Sequence, residues 1–208
     1  VKSLSSHAEV LPILSNDDYM KALILDGSRK EDSISACIMD KIQDILKKRN
    51  CQIKALILRD QNISSCLGCF DCWKKTPGMC VIDDVGRSIA KENVQSDLVI
   101  LLSPIVFGGY SPGLKKALER MIPNILPFYT KIGGEIHHSA RYEKYPKMVG
   151  IGFLPSSDQE SETIFKKLIE RNSINFYSEK YSTRVVYPND ATEDVYKKVA
   201  EAIAEVID

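Results

Sequence analysis

Apolar residues fall along this chain in short runs that alternate with helical stripes from Lys21 to the end. Lys21–Asp26, Gln52–Arg59, Asp97–Pro104, Lys147–Leu154 and Tyr181–Tyr187 are runs of strand length. The third is apolar almost throughout, as a central parallel strand covered on both faces must be. Between the runs, apolar residues recur at helical spacing. Ile34, Ile38, Ile42, Ile45 and Leu46 mark one helix, and Val85, Ile89 and Val94 mark a short second one opened by Asp83-Asp84. LKKALERMI and SETIFKKLIERNSINF give two more. Val195, Val199, Ile203 and Val206 form the inner face of a closing helix.

Five strand-to-helix alternations predict an α/β fold, a doubly wound five-stranded parallel sheet. Right-handed crossovers make 2-1-3-4-5, the flavodoxin-like order, the simplest topology. Residues 1–20 are polar and irregular and read as an N-terminal arm, leaving 21–208 as one domain. The connection over residues 123–146 is long and aromatic, with Phe128, Tyr129, Tyr142 and Tyr145. It reads either as a contact to a neighbouring chain or as cover for the sheet edge. His137 and His138 within it read as solvated or interface residues.

Composition narrows the function classes. The 208 residues are 44% apolar and 27% charged, enough for one well-cored domain. Lys plus Arg and Asp plus Glu both number 28, so no net charge favours nucleic acid or an anionic membrane. No apolar run approaches the roughly 20 residues of a membrane span. The N-terminal stretch has neither a basic region nor a clean apolar core, so it does not read as a secretory signal.

In such sheets ligands sit beyond the carboxyl ends of the strands, near the point where strand order reverses. After the first strand comes Gly27-Ser28-Arg29-Lys30-Glu31-Asp32-Ser33-Ile34-Ser35, whose hydroxyls, helix N-terminus and cations suit a phosphate. Ser33 or Ser35 acting as a plain helix cap is the competing reading. After the third strand comes Pro104-Ile105-Val106-Phe107-Gly108-Gly109-Tyr110, where glycines permit close backbone approach and aromatics can flank a flat ring. A packed loop completing the core is the alternative. Gly152–Asp158 could add backbone contacts, or be an ordinary turn.

Four of the six cysteines, Cys66, Cys69, Cys72 and Cys80, fall within fifteen residues. CxxC steps let neighbouring sulfurs converge on an iron–sulfur cluster. Structural zinc and unmetallated thiols remain open beside it. Crowding into one loop argues against a disulfide framework and for a reducing, cytoplasmic compartment.

GSRKEDSIS, then CLGCFDCW with its fourth cysteine and Asp pair, then SDLVILLSPIVFGGYSPGLKKALERM together resemble a known group. It is the NAD(P)H-dependent FMN reductase and iron–sulfur flavoprotein branch of the flavodoxin-like superfamily. The likeness covers about residues 21–187 and is strongest from Cys66 to Arg120. It implies non-covalent FMN, hydride from NAD(P)H onto flavin N5, and electrons passed to a free flavin, a quinone, another small molecule or a redox protein. Carried over, Ser28, Lys30, Ser33 and Ser35 hold the FMN phosphate. Pro104, Ile105, Val106, Phe107 and Gly108 line the isoalloxazine. Cys66, Cys69, Cys72 and Cys80 would ligate a [4Fe–4S] cluster, conditional on occupancy. The resemblance also implies a homodimer or homotetramer, because flavin pockets in the family are completed by a neighbour. The alternative function is an electron-transfer iron–sulfur flavoprotein reduced by a ferredoxin-like partner, without a nicotinamide site. One departure stands out: the family's first loop has Asn where this chain has Ile34.

Overall fold

The computed structural model describes residues 19–208. The N-terminal arm expected over residues 1–20 lies almost wholly outside the described residues. Five parallel strands form the sheet: β1 (Lys21–Asp26), β2 (Gln52–Ile57), β3 (Leu98–Pro104), β6 (Lys147–Phe153) and β7 (Tyr181–Val186). Their order is β2-β1-β3-β6-β7, with β1 between β2 and β3. That is the 2-1-3-4-5 order predicted from the apolar runs. β3, at the centre, is buried along its whole length, whereas edge strand β2 is buried at none of its six residues.

Helices cover both faces. α1 (Ile34–Lys48) and α6 (Thr192–Ile207) pack on one side, where Ile38, Ile42, Val199 and Ile203 are fully buried against Ile24, Ile100 and Val149. α3 (Val85–Gln95), α4 (Pro112–Glu119) and α5 (Gln159–Asn175) cover the other, with Ile89, Leu114, Phe165 and Ile169 against Leu23, Leu25 and Leu101. The approach of α5 is set by glycine. A Cβ on Gly150 would lie 2.4 Å from Ile169, and one on Gly152 would lie 2.7 Å from Phe165, so bare backbone on that face of β6 seats the helix. No helix among the described residues is long and apolar enough to cross a membrane.

Two local features depart from the sequence expectation. Strand 2 ends at Ile57 rather than Arg59, and Leu58–Asp60 turn into a 3₁₀ segment. The 123–146 connection is not a plain loop. It folds into an antiparallel hairpin, β4 (Ile125–Ile132) and β5 (Glu135–Ala140), a two-stranded sheet added to the expected architecture. Its turn is Gly133-Gly134 with φ of 56° and 92°, the backbone of a tight primed turn. The hairpin docks on α5 through Arg171–Glu135 (2.5 Å) and through His137, whose Nδ1 lies 3.0 Å from Asn175 Oδ1. His137 is therefore buried rather than solvated. Tyr145 is also buried, its hydroxyl donating to the Asn124 carbonyl and accepting from Arg141 N–H, so it belongs to this chain's interior. Phe128 and Tyr129 stay exposed.

Candidate functional site

The carboxyl ends of β1, β3 and β6 lie side by side, with Asp26 opposite Leu102 and Pro104 opposite Phe153. The loops after β1 and β3 therefore touch. Gly27 donates its N–H to Leu102 O at 2.8 Å, and a Cβ there would lie 2.5 Å from Ser111 Oγ. The loop after β1 is organised by its own acids. Ser28 N–H donates to Asp26 Oδ1 at 2.8 Å, and Arg29 N–H to Asp32 Oδ2 at 2.7 Å. The Arg29 guanidinium lies 3.0 Å from Asp32 as well, so its charge is already engaged.

The four hydroxyl and ammonium groups expected here are placed unequally. Ser28 and Ser35 are buried, and Ser35 Oγ donates to Asp32 O at 2.7 Å. Lys30 and Ser33 are exposed at the loop surface. Ser33 holds the N-cap position of α1 without a side-chain cap bond, which leaves its hydroxyl for a ligand. One residue absent from the sequence reading joins them. Arg59, turned inward by the 3₁₀ segment, puts Nη1 at 2.8 Å from Ser28 Oγ and 3.9 Å from Asp26 Oδ2.

The loop after β3 is a two-residue turn. Val106 and Gly109 exchange N–H···O bonds of 3.0 and 2.8 Å, with Phe107 (φ 49°) and Gly108 (φ 74°) at its tip. A phenylalanine in the left-handed region is strained by roughly 1–2 kcal/mol, and this one is 98% exposed. An aromatic ring held out in strained backbone, beside a phosphate-type loop, suits a flat ligand. The turn is braced from behind: Ser103 Oγ accepts Ser111 N–H at 2.9 Å, and Tyr110 OH accepts Asn172 Nδ2–H at 2.9 Å. Gly108 packs on α5 so closely that a Cβ would lie 2.5 Å from Ile164. Of the predicted lining, Pro104 and Ile105 are buried and Val106 is half-buried. The Ile105 side chain packs near Gly152 in the core under α5, so only its backbone is left for a ligand. The loop after β6 is exposed, and its Asp158 caps α5 by accepting Ser161 N–H at 3.0 Å.

The cysteine loop is closed at its neck by a buried ion pair. Arg120, at the end of α4, donates to both Asp84 oxygens at 2.8 and 2.9 Å, to Ser64 O at 2.9 Å and to Ile82 O at 3.1 Å. Asp84 also caps α3 by accepting Gly86 N–H at 2.9 Å, and it accepts Ser64 N–H at 2.8 Å. Burial raises the Asp84 carboxyl, but the Arg120 and Ser64 hydrogen bonds outweigh that and hold it at about 2. Nothing in the sequence marks Arg120 as the partner. Its role follows from α4 ending beside the loop.

Within the loop, Gly68 and Phe70 take positive φ and start a single helical turn, α2 (Asp71–Lys74). The indole of Trp73 donates to Ile125 O at 2.9 Å and stacks on Phe70 at 5.1 Å. Its other neighbour is His138 at 4.9 Å, which contacts Tyr129 at 4.9 Å. The loop is thereby pinned to the hairpin. All four cysteines are free thiols. Cys66 and Cys69 are exposed, Cys72 is buried and Cys80 is half-buried. Burial first, and then the charges of Cys80, Cys66 and Cys69, push the Cys72 thiol up to about 11. The donor set is that of an iron–sulfur ligand loop. Its arrangement is not: no three His, Cys, Asp or Glu among the described residues form a group that could hold a metal ion. A cleft of about 610 Å³ lies behind Cys80, lined by Met79, Arg87, Lys91, Pro123 and Tyr142, and it does not reach the strand-end loops.

An iron–sulfur flavoprotein of Methanocaldococcus jannaschii is 30% identical over 120 residues, 56% of this chain and 61% of that protein. One of Archaeoglobus fulgidus is 27% identical over 104 residues, 50% of this chain and 46% of that protein. The chain thus spans less than two thirds of either relative. The crystal structure of an FMN-dependent NADH-azoreductase from Bacillus anthracis, in complex with FMN, superposes with a TM-score of 0.62. That match covers 91% of this chain and all of the other at 15% identity, a likeness of fold alone. A family model described as NADPH-dependent FMN reductase matches residues 20–142, from the start of β1 through the loops after β1 and β3, the cysteine loop and the hairpin. The chain therefore belongs to the NADPH-dependent FMN reductase family.

Proposed function

We propose that this protein is an FMN-dependent oxidoreductase that takes hydride from NAD(P)H and passes electrons to a small-molecule acceptor such as a free flavin or a quinone. The observation that carries this reading is the turn at Phe107-Gly108, an exposed ring in strained backbone beside the hydroxyl-rich loop after β1. The residues fit FMN. Ser28, Lys30, Ser33 and Ser35 would hold the phosphate, with the N-terminus of α1 behind them. The backbone of Pro104–Gly108 and the ring of Phe107 would line the isoalloxazine. When bound, FMN supplies the N5 atom that accepts hydride, and the protein supplies position and electrostatics. No acid–base group of the chain is required. What the loops contribute is orientation, and exclusion of water from one face of the ring.

The test is a flavin titration followed by anaerobic addition of NADH or NADPH. Tight FMN binding and bleaching of the flavin are the expected results. Replacing Ser28 and Ser35 together by Ala should raise the FMN dissociation constant about tenfold or more. A protein that binds no FMN contradicts the proposal.

A second reading is favoured by the four free thiols in one loop and by the iron–sulfur flavoprotein relatives. It makes the protein an electron carrier with a [4Fe–4S] cluster on Cys66, Cys69, Cys72 and Cys80, reduced by a ferredoxin-like partner. Because these thiols do not converge as they stand, no electron step is assigned to them. Anaerobic reconstitution giving about four irons per chain, with flavin bleached by ferredoxin but not by NAD(P)H, would favour the carrier. We further propose a homodimer or homotetramer, with the exposed Phe128 and Tyr129 of the hairpin at the contact, measurable by light scattering. Free thiols fit a reducing compartment such as the cytoplasm.

A further inference from the structure

The loop after β1 brings two cations to the ligand proposed there, and both stand at its surface. Arg29 is held by Asp32 and lies 3.6 Å from Glu31, and the Ile34 side chain contributes no polar atom. Arg29 and Lys30 are both exposed, and of the two it is Arg29 that is paired with Asp32. Arg59 arrives from a different strand. β2 stops at Ile57, the 3₁₀ segment turns the chain, and the guanidinium comes to rest on the phosphate-type loop rather than on the sheet edge. Its Nη1 donates to Ser28 Oγ at 2.8 Å and to Ser28 O at 3.4 Å, with Asp26 Oδ2 at 3.9 Å. The Arg59 side chain is 34% exposed, while Asp26 beneath it is 5% exposed.

We propose that Arg59 is the residue by which this site recognises the 5′-phosphate, selecting FMN over riboflavin. The inference rests on the FMN reading above. A guanidinium carries five N–H donors in a rigid fork. One of its nitrogens is spent on Ser28 and Asp26, which fix the fork's direction, and the rest of the fork remains for a phosphate oxygen. By donating to Ser28 Oγ, Arg59 also leaves the Ser28 hydroxyl proton free to point outward to the same anion. A lysine would bring charge without the fork, and nothing would orient the Ser28 hydroxyl. Arg59 thus supplies a polar contact that the Ile34 side chain cannot, from a strand end that the loop sequence does not include.

The competing role is structural: Arg59 neutralises buried Asp26 and touches no ligand. The two are separated by measuring dissociation constants for FMN and for riboflavin, by flavin fluorescence quenching at low salt, in the wild type and in Arg59→Gln and Arg59→Lys. The expected result is a wild type that prefers FMN. Arg59→Gln weakens FMN by roughly 10- to 100-fold, the range of a charge-assisted bond to phosphate. Riboflavin changes by less than about threefold, and Arg59→Lys falls between. Should Arg59→Gln fail to fold, Arg59→Lys and competition by inorganic phosphate carry the test: phosphate must weaken FMN in the wild type and do so less in Arg59→Lys. Equal weakening of FMN and riboflavin, or none, overturns the proposal and assigns Arg59 to Asp26. A wild type that binds both flavins equally overturns it too, while leaving the flavin reading intact. A wild type that binds neither flavin defeats the FMN reading itself.

Discussion

Replacing Asp84 by Asn tests whether the cysteine loop is held by its neck. Arg120 is fully buried and Asp84 is 8% exposed, so the substitution leaves a guanidinium in the interior with two carbonyls, Ser64 and Ile82, and no counter-charge. Removing one partner of a buried pair is worth roughly 3–5 kcal/mol. Asn keeps one acceptor for Arg120 and is a good N-cap for α3, so the loss belongs near the lower end, about 3 kcal/mol. The depressed Asp84 carboxyl, held by the same hydrogen bonds, points the same way. The Asp84 carboxyl is held at about 2 against an ordinary 3.8, and at about 1.4 kcal/mol per pH unit that difference is about 2.5 kcal/mol.

The assay has a built-in reporter. The single tryptophan, Trp73, sits inside the loop and hydrogen-bonds the hairpin. Urea unfolding followed by Trp73 emission and by far-ultraviolet circular dichroism should show the variant losing about 3 kcal/mol, with the emission change at or ahead of the helix signal. The sign with pH is fixed by the direction of the displacement. Because the folded carboxyl is depressed, its contribution is complete above about pH 4 and is lost as pH falls towards 2. The gap between wild type and variant should therefore narrow as pH falls from about 4 towards 2. In the double variant with Arg120→Met, the two losses should not add, leaving a coupling of about 2 kcal/mol. A variant within about 0.5 kcal/mol of wild type, or a gap unchanged by acid, would refute the clamp.

Three further outcomes follow from the same geometry. Phe107→Gly should stabilise the fold by about 1 kcal/mol, because glycine takes φ of 49° without strain, yet weaken FMN several-fold by removing the ring; thermal melts and flavin titration must move in opposite directions. Gly108→Ala should cost about 1–3 kcal/mol and FMN affinity together, since its Cβ would meet Ile164 at 2.5 Å at φ of 74°; a neutral melt contradicts the close packing. Alkylation at pH 8 followed by mass spectrometry should modify exposed Cys66 and Cys69 well before Cys72, whose thiol is pushed up to about 11 by burial and its neighbours; equal rates would show that the loop opens.

The parallel sheet was legible because a central strand buried on both faces has little choice but an unbroken apolar run, and β3 is one. Asp84 as a helix cap was legible for a similarly local reason, the acid standing just before a helical stripe. The hairpin was not. Tyr129 and Ile136 face solvent, so the period-2 pattern that advertises a half-buried strand is blurred, and Gly133-Gly134 is the local cue to its turn. Ile105 shows how position and direction part company. It belongs to the ligand loop by position, but its side chain falls on the core side of a strand end, under α5. Arg59 and Arg120 lie 31 and 36 residues from the groups they bind, Ser28 and Asp84, and no local periodicity encodes such a meeting.

Those two arginines define how the segment after β2 is built. At its start Arg59 leans back onto the loop after β1. Then Lys116 of α4 and Arg120 at its end hold the Ile63 and Ser64 carbonyls, and Asp84 takes the Ser64 N–H. Between Ser64 and Ile82 the chain makes its excursion through the four thiols and returns to the same guanidinium. The phosphate-type loop and the thiol loop are thus joined through five residues, Arg59 to Ile63, braced at both ends. A disturbance at the thiols, whether oxidation or metal binding, has a short covalent route to the Arg59 guanidinium. The consequence is testable in one titration: alkylating Cys66 and Cys69 should alter FMN affinity more than riboflavin affinity if Arg59 transmits the change. Arg59→Gln should abolish the difference, whereas an effect surviving in that variant would place the coupling elsewhere.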